Sequence, residues 1–190
     1  GVTVRLRHPD LGGDVESAEL FWDYSEYVPL WRRHVLALRL NGAFGRGDAG
    51  RPAFYALSPA PERNVLLDAI DGIFFGSTVL RGYPGGTVRG DRYVLATLEY
   101  RLPIADVFAG FGTVPFFFRR VKLAVFTDWA QGRTSALRLW PDAFRRSAGA
   151  ELLSEATLGW RLPMNVRLGY AHGIDDDGEG QLYFFLGSWY

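Results

Sequence analysis

Cysteine is absent from the 190 residues, methionine occurs once and histidine three times. The missing thiols exclude disulfide scaffolds, cysteine-ligated zinc or iron–sulfur sites and cysteine nucleophiles. They leave the compartment open, because an oxidising location permits disulfides without requiring them. Net charge is missing too, with 21 Lys+Arg against 21 Asp+Glu. A nucleic-acid protein shows a basic excess or stripe, so no nucleic-acid partner is expected. No run reaches the ~18 apolar residues of a transmembrane helix. The richest stretch, Val107–Phe118, is broken by Gly110, Gly112 and Pro115. The chain opens on Gly1 in a strand-like segment with no signal peptide, as expected of a piece excised from a longer protein.

What is present is aromatic and alternating. Aromatic residues make up 15% of the chain, among them 6 Trp, and Gly occurs 23 times. Period-two patterning runs through Val2–His8, Val15–Tyr27, Arg32–Phe44, Arg92–Leu102, Val121–Trp129, Glu151–Leu162, Asn165–Gly173 and Gln181–Tyr190. In Arg92–Leu102, for example, Val94, Ala96, Leu98, Tyr100 and Leu102 oppose Tyr93, Leu95, Thr97, Glu99 and Arg101. Most segments are near the ~10 residues of a membrane-spanning strand. Helical spacing is credible only at Glu62–Ile70. The expected class is all-β and antiparallel.

The connections differ in character. Tyr27–Arg32 and Arg161–Asn165 are tight and contain proline, whereas Pro9–Asp14, Gly45–Asp91, Gln131–Phe144 and Ile174–Gly180 are longer, polar and Gly-rich. Short turns on one rim and long loops on the other is the asymmetry of an outer-membrane barrel. Ala105–Arg119 falls on the short rim and is too long for a simple turn, which counts against the pattern. The polar faces carry Arg, Glu, Asn, Thr, Gly and Ala of mixed sign. The apolar faces end in Trp22, Tyr24, Tyr100, Trp129, Trp160, Tyr170, Trp189 and Tyr190. Aromatic rings at strand ends suit interfacial girdles, and apolar-out, polar-in strands suit a wet lumen. Two alternatives stay open: a closed eight-stranded barrel serving as anchor or ligand binder, and a soluble β-sandwich binding module.

Three motifs in order sharpen this. Leu80-Arg81-Gly82-Tyr83 precedes Gly90-Asp91-Arg92-Tyr93 and Leu98-Glu99-Tyr100-Arg101-Leu102-Pro103; then comes Val125-Phe126-Thr127-Asp128-Trp129-Ala130. The series resembles the Omp85 superfamily, the bacterial surface antigen D15 barrels, in its (V/L)-R-G-(F/Y) loop tip and F-x-D-x-G/A strand motif. Ala130 replaces the usual glycine, and the last strand lacks the common C-terminal glycine spacing. The resemblance implies an antiparallel transmembrane β-barrel. Residues 1–190 would supply about eight strands, the C-terminal half of sixteen, with 45–91 as a long lumen-inserting loop. It further implies location in the bacterial outer membrane and a role in protein assembly or translocation. The partners would be the lipid bilayer, the barrel-assembly machinery and a protein substrate.

Carried over residue by residue, Arg81, Gly82 and Tyr83 form the loop lock, and Arg81 meets Asp128, with Glu99 as a second acidic neighbour. Independently, period-two phase puts Phe126, Asp128 and Glu99 on polar faces. A guanidinium in a narrow lumen requires a partner, and its planar fork suits a carboxylate. Trp189 and Tyr190 would be the C-terminal strand signal. Other signals carry little. Gly45-Arg46-Gly47-Asp48-Ala49-Gly50 fits G-x-G-x-x-G but runs into Arg51-Pro52 with no following helix. Arg-Gly-Asp occurs twice in Gly-rich loops, and Asp175-Asp176-Asp177-Gly178-Glu179 lacks EF-hand spacing. His8, His34 and His172 lack ligand spacing. No cofactor, metal site or enzyme activity is expected.

Overall fold

The computed structural model describes residues 1–11, 16–47, 55–57, 79–110, 112–113, 115–134, 136–138, 140–159 and 161–187. The Glu62–Ile70 segment, Trp160, Trp189 and Tyr190 lie outside these. The strands are β1 (Val2–Arg7), β2 (Ser17–Pro29), β3 (Val35–Gly47), β4 (Tyr55–Ala56), β5 (Arg89–Gly90), β6 (Arg92–Gly110), β7 (Phe116–Arg133), β8 (Arg145–Leu158), β9 (Leu162–Gly173) and β10 (Gly180–Gly187). Eight form one antiparallel sheet in the order β1-β2-β3-β6-β7-β8-β9-β10, while β4 and β5 pair as a small separate ribbon. The sheet is not closed into a barrel: β1 and β10 are its two edges. Nor, among the described residues, does a second large sheet pack on it, so these residues form neither the closed eight-stranded barrel nor the sandwich.

The strands are long because the alternation is. A bilayer-sized strand needs ~9–11 residues, and β6 and β7 have 19 and 18. Ala105–Arg119, too long as a turn, is mostly strand: β6 runs on to Gly110 and β7 starts at Phe116. Its register shifts at Pro103/Ala105, Asp106/Ala109 and Phe118/Arg120. An extra residue at a bulge breaks strict alternation, which hides a strand from a period-two reading. The rim asymmetry is therefore complete. Connections 30–34, 111–115 and 159–161 are short; 8–16, 48–91, 134–144 and 174–179, on the opposite rim, are longer.

Register fixes two faces. Cross-strand pairing aligns Asn41 with Leu95, Thr97 with Asp128, Ala124 with Glu151 and Gln181 with Ala171 on one face. It aligns Leu38 with Leu98, Leu123 with Leu152 and Leu168 with Phe184 on the other. The polarity is inverted relative to a water-soluble protein. The buried residues include Asp128, Glu99, Glu151, Asn41 and Thr97, whereas Val4, Leu98, Val125, Leu152, Leu168 and Phe184 are exposed. The loop folds onto the polar face near the long-loop rim. There Leu57, Leu80, Tyr83 and Val88 pack against Ala43, Tyr93, Leu95 and Ala130 to make the apolar core.

Candidate functional site

Below that core, the loop tip buries a charge. Arg81 donates from Nε to Asp128 Oδ2 (2.8 Å) and from Nη2 to Asp128 Oδ1 (2.7 Å), a bidentate fork. Its Nη1 donates to Glu151 Oε1. The guanidinium carbon lies 3.3 Å from the centroid of the Phe126 ring, so the cation also rests on a π face. Asp128 is fully buried and Arg81 8% exposed. Burial alone would push the guanidinium down. The Asp128 carboxylate, then Glu151, reverse that and hold Arg81 well above its ordinary value.

Each neighbour is there for a local reason. Phe126 and Asp128 alternate in phase on β7, and Glu151 lies one strand over on the same face. Thr97 of β6 faces Asp128 across the ladder and donates its hydroxyl to Oδ1 (2.8 Å). Arg167 Nη1 donates to Glu151 Oε2 (3.1 Å), and the Tyr183 hydroxyl donates to Oε1. Two guanidinium groups thus meet two carboxylates, and the cluster is neutral. Space comes from glycine: a Cβ on Gly149 would stand 2.5 Å from Phe126 Cζ, and one on Gly169 would stand 2.6 Å from the Tyr183 ring.

The remainder of the tip is held by backbone contacts. Gly82 has φ +81°, the left-handed region, and a Cβ there would stand 2.6 Å from the Gly173 nitrogen. Its amide donates to Gln181 Oε1 (2.9 Å), its carbonyl accepts from the Glu179 amide (3.0 Å), and Gln181 Nε2 donates to the Tyr83 carbonyl (2.9 Å). The Tyr83 hydroxyl lies 2.9 Å from Asp175 Oδ2, and Arg146 holds the same carboxylate through its amide (2.6 Å) and Nη2 (2.9 Å). Burial pushes the Asp175 carboxyl up, but the bonds from Arg146 and Tyr83 outweigh it and hold the group below the ordinary aspartate range.

Of the sequence-expected residues, Arg81, Gly82, Tyr83, Phe126 and Asp128 converge. Glu99 forms no hydrogen bond or ion pair with Arg81, though it lies within electrostatic reach of that charge. It is bonded to Arg101 Nε, and the second carboxylate on Arg81 is Glu151. Both β6 and β8 pair with β7, where Glu99 lies opposite Phe126 and Glu151 opposite Ala124, so register does not rank the two carboxylates; the loop tip brings the guanidinium to Glu151. Sequence reading missed Glu151, Arg167, Tyr183, Gln181 and Asp175. Glu151 shares the phase of Glu155, but the Arg145–Ala150 half of β8 holds few apolar residues, so alternation alone starts the strand at Glu151. Trp189 and Tyr190 lie outside the described residues. No group of three or more His, Cys, Asp or Glu suited to a metal occurs among the described residues. No protein-family model matches the chain, nor does the sequence of any curated protein.

Two predictions follow from the charge balance and from Asp175. Arg81→Met in the full-length protein leaves one negative charge uncompensated and should lower unfolding stability in urea by ~3–5 kcal/mol. Adding Asp128→Asn restores neutrality with Arg167 and Glu151, and should recover part of that loss. The exchanged pair Arg81→Asp with Asp128→Arg should not, because its new carboxylate faces Glu151. Asp175, with its lowered value, contributes stability that is present above the unfolded-state value of about 4. That contribution is lost as pH falls through the lower folded value. Acid titration of urea midpoints should show this loss in the parent and not in Asp175→Asn.

Proposed function

We propose that the chain is the C-terminal half of a sixteen-stranded outer-membrane β-barrel similar to the Omp85 superfamily, acting in protein assembly or translocation at the bacterial outer membrane. The observation that carries the reading is the inverted polarity: an extended apolar face lies open while charged groups are buried on the opposite face. In water such a face would be a large aggregation liability. In a bilayer it is the surface required, and strands are admissible there only if the sheet closes. The two edges must then be paired by further strands from the same polypeptide or, on a second route, from another copy. The rim asymmetry and the Arg81–Asp128 fork on the L-R-G-Y and F-x-D motifs support the family in particular.

In this reading the loop tip occupies the lumen and the neutral cluster of Arg81, Asp128, Glu151 and Arg167 holds it against the wall. Such a buried, balanced cluster specifies one loop position, since any shift of the tip would strand charge in a low dielectric. A protein substrate crossing or entering the wall would meet a lumen plugged by this loop, with the barrel-assembly machinery and the lipid bilayer as its surroundings.

The test is the full-length protein, fractionated and run on a gel with and without boiling. A boiling-dependent mobility shift in the outer-membrane fraction is expected; a protein soluble without detergent and without a shift would sink the proposal. Leu98→Arg and Val125→Arg, on the open face, should each cost ~2–4 kcal/mol in vesicles if that face meets hydrocarbon. Near-neutral effects of both would place the face in water.

A further inference from the structure

The two rims differ in charge as well as in length. The long connections 8–16, 48–91, 134–144 and 174–179 carry thirteen Asp and Glu against five Arg. The short connections 30–34, 111–115 and 159–161 carry three Arg, Arg32, Arg33 and Arg161, and no acidic residue. The adjoining strand ends add Arg39, Arg119 and Arg120 and three carboxylates, Glu26, Asp106 and Glu155. These carboxylates are already taken: Arg33 Nη1 lies 2.8 Å and Arg120 Nε 3.3 Å from Asp106, Lys122 pairs with Glu155, and Glu26 accepts from the Tyr24 hydroxyl (2.8 Å). Arg32, Arg119 and Arg161 are exposed, and no carboxylate among the described residues lies within ion-pair reach of them.

The same rim carries large exposed rings and aliphatic groups. Trp31 is 76% exposed and Phe108 54%, with Phe117 and Leu162 beside them in the same exposed set. The Arg32 guanidinium carbon sits 4.4 Å from the centroid of the Trp31 ring. Arg32 and Arg33 have φ of 53° and 67°, a left-handed region that residues with a Cβ seldom occupy. Arginine offers a planar donor fork to a phosphate, and tryptophan prefers the headgroup level. Charge complementarity therefore selects the occupant.

On the membrane-spanning reading, we propose that the short-turn rim is a docking surface for the anionic headgroups of phospholipids, with Arg32, Arg119 and Arg161 as the phosphate-binding residues and Trp31 as the ring beside them. The short turns of such barrels face the periplasm, so the lipids belong to the periplasmic leaflet. The acidic long-loop rim would not hold them.

The experiment reconstitutes the full-length protein into discs of phosphatidylcholine alone and of phosphatidylcholine mixed with phosphatidylglycerol. It reads the temperature at which the folded gel band converts, and the phosphatidylglycerol content of lipid retained after detergent extraction. The parent should show a higher conversion temperature in the mixed discs and enrichment of phosphatidylglycerol, about five-fold per arginine, both reduced by salt. Arg32→Gln, Arg119→Gln and Arg161→Gln combined should abolish both while leaving the conversion temperature in phosphatidylcholine unchanged. Should that variant fail to fold, the parent's enrichment and its salt dependence still decide. No enrichment in the parent, or full enrichment in the variant, overturns the proposal. Inorganic phosphate reproducing the stabilisation in phosphatidylcholine discs would assign the rim to a soluble anion and overturn it likewise. Failure to enter discs of either composition would instead overturn the membrane reading on which it rests.

Discussion

A guanidinium removed from water must be given a counter-charge and donors' partners, and the loop tip is organised around that requirement. Arg81 arrives on an irregular segment, yet its charge is met by carboxylates on two adjacent strands and an aromatic face on one of them, and a second arginine from a third strand balances the second carboxylate. Taking a charged group out of water costs several kcal/mol, which only close, multiple and correctly aimed partners offset. The fork on Asp128 supplies two bonds and Glu151 a third; Thr97 and Tyr183 each add a second donor to an oxygen that Arg81 bonds, and Arg167 takes the remaining one, Glu151 Oε2. Removing any of the charged members leaves a buried charge without its balance.

That constraint reaches into the backbone of the sheet. The ring of Phe126 beneath the cation needs the missing side chain of Gly149, and Tyr183 and Glu151 need that of Gly169. The sharp left-handed turn at Gly82 sets the tip against the β9 end at Gly173, where backbone atoms approach too closely for any Cβ. Above it, Tyr83 and the other apolar loop residues make the apolar core found among the described residues, so the loop is the hydrophobic filling of a polar-walled surface. The opposite face, with Leu98, Val125 and Leu152 exposed, has no such filling. In the proposed barrel, lipid supplies it.

Much of this was legible from residues alone. Strict alternation in β2, β3, β6 and β9 marked the strands and their phases, because a pleated strand turns successive side chains to opposite faces. The phase of Phe126 and Asp128 followed from Val125 and Trp129 beside them. What failed did so where alternation is broken: the bulged ends of β6 and β7 read as a long turn, and the polar first half of β8 hid Glu151 as a wall residue.

The period of the chain by itself determined an all-β protein with one apolar and one polar face, and connections that alternate in length. Those are local properties, carried by nearest neighbours along a strand. Which carboxylate meets Arg81 is not local. Glu99 and Glu151 both have the right phase on the two strands that flank β7, and it is the path of the folded loop that carries Arg81 to Glu151 while Glu99 is bonded to Arg101. Likewise the glycines that admit Phe126 and Tyr183 are defined by side chains on neighbouring strands. Tertiary structure decided both, because contact across a sheet depends on pairing between distant segments that no single segment encodes.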